Sequence, residues 1–152
     1  MGKVTGRINE LLVDVYTDIL KIEENAFKAG QFSDASIKEV HTVEAIGMYE
    51  PKTMSEVARS LKITVGTLSV AINNLVKKGY VERYKSEDDR RLVKVGLTKK
   101  GRLLYRVHAQ FHLDMVNSCT DDFSSQELEI LEKALEKLNV YFSGKLYEEK
   151  GN

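Results

Sequence analysis

The chain has 152 residues, 42% of them hydrophobic and 30% charged, which is enough for a packed core in one soluble domain, or in one domain with an oligomerisation appendage. No apolar run approaches the length of a membrane span, and the N-terminus lacks a secretory pattern, so we expect a cytoplasmic protein. The single cysteine, Cys119, excludes an intramolecular disulfide and suits a reducing compartment; we expect its thiol to be buried.

The N-terminal segment predicts a long amphipathic helix that ends near Gly30. Its apolar residues recur at alternating spacings of four and three, which gives the helix heptad character. Ser36 and Glu39 then form a capping box, which predicts a second helix that ends at Gly47. The apolar row of the first helix consists of Ile8, Leu12, Val15, Ile19 and Ile22.

The next segment predicts a helix-turn-helix. Thr53 and Glu56 form another capping box and start a short helix, and Thr64 can cap a further helix after a two-residue turn. Gly79 follows the second helix where a left-handed residue is expected. Two short amphipathic helices joined by a tight turn are typical of a helix-turn-helix. The apolar stripe of its second helix is Leu68, Ile72 and Leu75.

The opposite face of that helix is small, uncharged and chemically mixed, which suits contact with base edges. The methyl groups of Val65 and Val70 match the thymine methyl group, so we predict an A·T-rich site. The polar and basic residues Ser69, Asn73, Lys77, Lys85 and Lys94 are expected mostly to contact phosphates. The predicted DNA-contacting residues of the helix are Thr64, Val65, Gly66, Thr67, Ser69, Val70, Asn73, Asn74 and Lys77.

Residues 80–97 predict a β-hairpin with a charged tip. Residues 80–85 and 92–97 alternate as strands do, with Val93, Val95 and Leu97 on one face of the second strand, and residues 86–91 form a polar loop. An ordinary solvated hairpin is the alternative interpretation. The order of the elements favours a wing, and therefore a mostly α, winged-helix fold of the α+β type with a DNA-binding lobe over residues 36–97.

The chain continues with two more helices. Thr98 caps the fifth, and a third capping box at Ser124 and Glu127 opens the last, whose apolar residues are again three and four apart. The rows on the first and last helices can pack within one chain, or between two chains. We favour a homodimer in which residues 1–30 and 98–150 form the dimerisation region, and which binds a palindrome with half-sites about one helical turn apart. The last row is Leu128, Leu131, Leu135, Leu138 and Phe142.

Charge is strongly segregated although the net charge is zero. Residues 52–106 hold fourteen lysines and arginines against five acidic residues, an excess of nine positive charges, and the two ends hold the equal negative excess. A basic segment of this kind is typical of a phosphate-binding surface.

The sequence resembles the MarR family of bacterial transcriptional regulators. The similarity is strongest at Asp89-Arg90-Arg91 and at Leu97-Thr98-Lys99-Lys100-Gly101. The resemblance implies that Asp89 buttresses Arg91, which enters the minor groove, where a narrow A·T tract attracts a guanidinium. With the phosphate contacts named above, the expected DNA-contacting residues of the wing are Lys85, Asp89, Arg90, Arg91 and Lys94.

Within that family the chain is most similar to the fatty-acid-synthesis repressor branch of Gram-positive bacteria. Segments that carry this similarity include Arg7–Glu10, Ser36–Thr42 and Lys78-Gly79-Tyr80. The resemblance implies a repressor whose DNA affinity is raised by a long-chain acyl group on acyl carrier protein. That acidic partner would need a basic docking surface, for which Arg102 and Arg106 are candidates, and Phe111 is a candidate for an apolar effector site.

The three histidines support a second hypothesis. His108 and His112 are one turn apart on a helix, which is a metal-competent spacing. A zinc-sensing branch of the same family uses a similar set, which here would be His41, His108 and His112 with Glu23 or Glu24. Alternatively, the histidines hydrogen-bond between helices and couple effector and DNA binding. Since the His108–His112 segment lacks the glutamate of a zinc hydrolase, and Cys119 has no base in its sequence context, we do not expect an enzyme.

Overall fold

The structure, a computed structural model, describes residues 2–150. Over this range the chain is mostly helical with one small antiparallel sheet, which confirms the predicted winged-helix fold class. No helix within residues 2–150 is long and apolar enough to cross a membrane. In chain order the elements are α1 (Lys3–Phe27), α2 (Ile37–Ile46), β1 (Lys52–Thr53), α3 (Met54–Leu61), α4 (Val65–Lys77), β2 (Val81–Lys85), β3 (Val93–Leu97), α5 (Lys99–Thr120) and α6 (Ser125–Lys150).

Polar caps begin the helices where the sequence predicts them. The capping boxes at Ser36, Thr53 and Ser124 are all present, each with a side-chain oxygen and a glutamate that satisfy free backbone amides. The Thr64 hydroxyl accepts from the Thr67 amide at 3.1 Å and starts α4. Gly79 has a φ of +82°, the left-handed conformation expected just beyond a helix end.

The sheet has the strand order β1-β3-β2, so β3 is its central strand. Strand β1 was not predicted from the sequence, because two residues are too few for an alternating pattern. The predicted alternation in β3 does not match its burial at two positions. Val93 is 40% exposed because it lies next to the wing loop, whereas Gly96 is buried because Tyr84 and Pro51 lie over it.

The chain divides into two compact units, one that extends to Arg106 and one that starts at Val107. The core of the first unit includes Val43 of α2, Val57 of α3 and Val95 of β3, all 0% exposed. The α4 residues Leu68, Ile72 and Leu75 are buried to the same extent, as predicted, which fixes the opposite face of α4 as the outward one.

The apolar rows of α1 and α6 are largely exposed in the single chain. On α1, Ile8, Leu12, Val15 and Ile22 are exposed and Ile19 is half-buried. These α1 residues are called the α1 seam below, and Leu128, Leu131, Leu135, Leu138 and Phe142 are called the α6 seam. On α6, Leu128, Leu135 and Phe142 are exposed and the other two are half-buried.

Candidate nucleic-acid interface

The outward face of α4 presents most of the side chains that the sequence predicts to contact DNA. Because Leu68, Ile72 and Leu75 anchor the inner face, the residues between them must point away from the core. Val65 and Val70 are 43% and 63% exposed, so their methyl groups are available for contact with the methyl groups of thymine. Exposed residues of this face are Thr64, Val65, Gly66, Thr67, Val70, Asn73, Asn74 and Lys77, and Ser69 is half-buried.

Hydrogen bonds already occupy several polar groups on this face. The Thr64 hydroxyl donates to the Thr67 hydroxyl at 2.9 Å, and the Ser69 hydroxyl donates to the Val65 carbonyl at 3.0 Å. Asn73 accepts through its side-chain oxygen from the guanidinium of Arg83 on β2. Asn73 therefore has its amide nitrogen left for a phosphate, and Arg83 ties α4 to the wing strand.

Arg83 was not among the residues predicted from the sequence to contact DNA. It is exposed, it lies on β2, and its partner is ten residues earlier in the chain. A cross-element pair of this kind leaves no periodic signal in the sequence. The alternation of β2 would have placed Arg83 on the same side as Val81, the side that faces α4.

The wing loop is shaped by main-chain contacts of two small polar residues. Ser86 is buried at the base, where its amide donates to the Leu92 carbonyl at 3.1 Å. The Asp89 carboxylate accepts from the backbone N–H of Arg91 at 2.9 Å, and the Asp89 amide donates to the Ser86 hydroxyl at 3.4 Å. Asp89 thus contacts the backbone of Arg91 in this structure, and the buttressing role that the family resemblance implies stays a prediction. Lys85, Asp89, Arg90 and Arg91 are exposed, and Lys94 is half-buried on β3.

A second cluster lies at the C-terminal end of α4 and was not identified from the sequence. The Lys78 ammonium donates to the Asp34 carbonyl at 2.6 Å and to the Glu39 carboxylate at 2.7 Å. The Tyr80 hydroxyl donates to the Asp34 carboxylate at 2.5 Å. Lys100 lies 3.7 Å from the same carboxylate and 4.2 Å from the centre of the Tyr80 ring. These contacts join the α1–α2 loop to the end of the helix that is predicted to enter DNA.

The cluster changes the acidity of two of its members. The hydrogen bond from Tyr80, helped by the charge of Lys100, holds the pKa of the Asp34 carboxyl below its ordinary value of 3.8. Burial, followed by the hydrogen bond to Asp34, raises the pKa of the Tyr80 phenol above its ordinary value. Both shifts favour the arrangement with a charged Asp34 and a protonated Tyr80.

Two short contacts involve the histidines. His41 Nε2 lies 2.8 Å from the Glu23 carboxylate, which is 1% exposed, whereas the Glu24 carboxylate lies 3.7 and 3.6 Å from Lys21 and Lys28. Of the two glutamates considered, the structure therefore brings Glu23 to a histidine and Glu24 to lysines.

The second histidine contact is within α5. The Nε2 atoms of His108 and His112 are 3.1 Å apart, and His108 is buried. Two nitrogens bound to one tetrahedral zinc ion lie about 3.3 Å apart. The distance between the two Nε2 atoms therefore fits two ligands of one ion as well as it fits a hydrogen bond. Phe111, an effector candidate, is half-buried with its ring edge-on to His112.

The first turns of α5 carry a basic surface. Arg102 and Arg106 are exposed, as docking on an acidic partner requires. Lys99, Lys100, Leu103 and Arg106 line a shallow depression of about 440 Å³, in which an apolar residue lies among three cations. Cys119, by contrast, is exposed near the end of α5, so the expectation that it is buried is wrong; the nearby Val116 and Phe123 are exposed as well.

Comparisons with known proteins agree with this geometry. A MarR family model matches residues 33–92, which span the helix-turn-helix and most of the wing. The crystal structure of Streptococcus pneumoniae FabT in complex with DNA is 42% identical, covers 92% of this chain and 98% of that chain, and gives a TM-score of 0.88.

Two curated relatives cover most of both chains. The transcriptional regulator AdcR of Streptococcus pyogenes is 27% identical over 139 residues, 88% of this chain and 92% of its own length. The HTH-type transcriptional regulator PchR of Bacillus subtilis is 23% identical over 145 residues, 85% of this chain and 86% of its own. These relatives are transcriptional regulators rather than enzymes, which confirms the expectation that the chain is not an enzyme.

Proposed function

We propose a specific role for this chain, which belongs to the MarR family of winged-helix transcriptional regulators and is a DNA-binding protein. Its role is that of a homodimeric repressor of fatty-acid-synthesis genes, which binds DNA more tightly when a long-chain acyl group on acyl carrier protein is present. The observation that carries the proposal is the 42% identity over 92% of the chain to Streptococcus pneumoniae FabT, whose structure is a complex with DNA. It is joined by the resemblance of the sequence to the fatty-acid-synthesis repressor branch.

The homodimer is supported by the exposed seams. Ile8 and Val15 on α1, and Leu135 and Phe142 on α6, are each more than half exposed in the single chain. Apolar patches of this extent commonly mark protein–protein contacts, because each buried methylene gains about 0.8 kcal/mol. A two-fold dimer carries two α4 helices and two wings, and therefore requires a palindromic operator.

The composition of the operator follows from the α4 face. Val65 and Val70 offer methyl groups and no hydrogen bonds, so they favour thymine over guanine. The exposed guanidinium of Arg91 at the wing adds a preference for narrow minor grooves, which occur in A·T tracts. The proposed operator is therefore an A·T-rich palindrome with half-site centres about 10 base pairs apart.

The acyl effector rests on family resemblance together with one surface of this chain. Acyl carrier protein is acidic, and the depression at Lys99, Lys100, Leu103 and Arg106, with Arg102 beside it, is basic with an apolar centre. Opposite charges on two surfaces accelerate their encounter and fix their register. In this proposal the acylated carrier selects the arrangement of the dimer in which both α4 helices fit one operator.

Fluorescence anisotropy on such a palindrome tests the proposal. Chelator-treated protein is titrated onto the duplex alone, with unacylated carrier, and with carrier bearing a long acyl chain. We expect affinity to rise with the acylated carrier only, and the gain to be lost in an Arg102→Ala/Arg106→Ala variant whose carrier-free affinity is measured in parallel. Equal affinity in all three titrations would refute the acyl effector, and binding to a half-site duplex as tight as to the palindrome would refute the dimeric reading.

A zinc-responsive regulator is the second candidate function. It is favoured by the Glu23–His41 and His108–His112 contacts, each of which by itself offers two ligand atoms to a cation. The test adds zinc instead of carrier to the chelator-treated protein. A gain in DNA affinity that disappears in His108→Ala would assign the function to metal sensing. No change on addition of zinc would leave the four residues as hydrogen-bonding groups.

A further inference from the structure

Two adjacent lysines at the end of α4 have very different surroundings. Lys77 is the last residue of the helix and is exposed, as a phosphate-binding side chain should be. The Lys78 side chain is only 31% exposed, and its ammonium donates to Asp34 and Glu39 of the preceding loop and helix. The charge of Lys78 is therefore directed into the protein.

The partners of Lys78 are themselves held in place. Glu39 is 5% exposed, and its carboxylate also accepts from the Ser36 amide at 2.8 Å in the capping box of α2. A buried carboxylate with a charge-assisted hydrogen bond is a stronger anchor than a surface ion pair, because solvent screens it less. Lys78 thus ties the end of α4 to the start of α2.

Tyr80 adds a second tie to the same loop. Its side chain is 0% exposed, its hydroxyl donates to Asp34, and its ring lies 6.3 Å from that of Phe32. Lys100, which packs over the Tyr80 ring, donates to the Lys78 carbonyl at 3.0 Å. Contacts of the Lys78, Tyr80 and Lys100 side chains thus hold the residues immediately after α4 in place. The helix end cannot shift without breaking several of these hydrogen bonds.

We propose that Lys78 and Tyr80 are positioning residues for DNA recognition, which set the location of α4 relative to α2 and the α1–α2 loop without contacting DNA themselves. The bases are read by the outward face of α4, so a displaced helix end would move Asn73, Asn74 and Lys77 away from their targets while the fold persists. This proposal needs only that the chain binds DNA, and it holds whichever effector acts.

The decisive experiment compares Lys77→Met with Lys78→Met. Both variants lose one lysine charge and keep an aliphatic side chain, and DNA affinity is measured for each as a function of salt concentration. We expect Lys77→Met to lower affinity and to flatten the slope of log K against log salt by about one unit, because one phosphate contact is lost. We expect Lys78→Met to lower affinity about 2- to 30-fold with the slope unchanged, which is the range of couplings carried by packed networks.

Two further variants separate positioning from a loss of folding. Tyr80→Phe removes only the hydroxyl and should lower DNA affinity in the same direction as Lys78→Met, whereas Lys78→Arg, which can still bridge Asp34 and Glu39, should retain most of it. Far-UV circular dichroism is recorded at the binding temperature, so that affinities are compared only between folded proteins. A flattened salt slope in Lys78→Met would make Lys78 a phosphate ligand, and full DNA affinity in both Lys78→Met and Tyr80→Phe would make the cluster merely structural; either result overturns the proposal.

Discussion

Apolar side chains at helical spacing are buried in the DNA-binding lobe but mostly exposed on the terminal helices α1 and α6. In α4, Leu68, Ile72 and Leu75 are 0% exposed, covered by residues of their own chain. In α1 and α6, the seams repeat at an equally regular spacing, but most of their side chains are exposed. Periodicity therefore identifies an apolar face without telling what covers it.

The difference lies in the amount of neighbouring chain. The helices α2, α3 and α4 and the sheet surround one another, so each contributes a face to a shared core. The seams of α1 and α6 lie on long helices, and residues of the same chain leave most of the seam side chains exposed. The lobe is expected to keep its structure by internal packing, whereas the terminal helices are expected to depend on a second copy.

Loss of a core side chain in the lobe should have the largest effect. Ile72→Ala removes methyl groups from a fully buried site and leaves a cavity, so we expect a loss of about 2–5 kcal/mol in the free energy of unfolding. Val70→Ala, two residues away on the outward face, is the matched control. It should change stability by less than about 0.5 kcal/mol while it weakens DNA binding. Urea denaturation and anisotropy give the two quantities, and equal destabilisation by both variants would contradict the division of α4 into two faces.

A charge in the α1 seam should have the next largest effect. Val15→Glu places a carboxylate in the proposed dimer contact, whereas Val13→Glu places it on the other side of the same helix; the two valines are 54% and 55% exposed. We expect Val15→Glu to give a monomer in sedimentation and to lower operator affinity about 100-fold, because the second half-site is no longer tethered. Val13→Glu should remain dimeric. If both variants sediment alike, the α1 seam is not the contact.

Loss of a wing contact should lower operator affinity less than loss of the dimer contact does. Arg91→Ala removes a guanidinium from the exposed tip, so we expect a loss of about 1–2 kcal/mol, roughly 5- to 30-fold, on an operator with A·T-rich flanks. On G·C-rich flanks the loss should be smaller, because the wider minor groove has a weaker negative potential. Competition binding with the two duplexes measures the ratio. An identical loss on both would show that Arg91 contacts a phosphate rather than the groove.

The smallest expected effect is the pH dependence of the lobe. The pKa of Asp34 is lowered in the folded protein, so the carboxylate adds stability above its ordinary pKa near 3.8, and that stability is lost as pH falls through the folded value. In Tyr80→Phe the main cause of the lowering is absent, so the variant should be less stable than the natural chain at pH 6 and the gap should narrow towards pH 3. Thermal unfolding of both proteins between pH 3 and pH 6 tests this prediction. A difference in stability that does not change with pH would show that Asp34 is not the titrating group responsible.

Local signals in the sequence predicted most of the fold. A capping box needs only a hydroxyl residue and a glutamate three positions later, so the starts of α2, α3 and α6 could be located without knowledge of their surroundings. The same holds for Gly79, whose left-handed conformation follows from its place after a helix. The outward face of α4 was likewise predictable, because it is what remains once the apolar stripe is assigned to the core.

Contacts between distant segments were not predictable from one sequence. Lys78 and Asp34 are 44 residues apart and Tyr80 and Asp34 are 46 apart, and no periodicity connects them. Lys78-Gly79-Tyr80 belongs to the segments that resemble the fatty-acid-synthesis repressor branch, but that resemblance does not tell which residues Lys78 and Tyr80 contact. Arg83 with Asn73, and the choice of Glu23 over Glu24 beside His41, needed the packing of whole elements for the same reason.

Gly101 shows how closely the first turn of α5 approaches the segment after α4. A Cβ atom at this position would lie 2.1 Å from the Tyr80 carbonyl oxygen, which also accepts from the Thr98 amide at 3.0 Å. The Thr98 hydroxyl in turn donates to the Gly79 carbonyl at 2.6 Å and accepts from the Gly101 amide at 3.1 Å. Backbone lies against backbone here, and the Thr98 hydroxyl bridges the Gly79 carbonyl and the Gly101 amide, so the two segments are rigidly joined. We therefore expect a displacement of the start of α5 to move the end of α4 with it. Any side chain at position 101 would clash with the Tyr80 carbonyl and force these two segments apart.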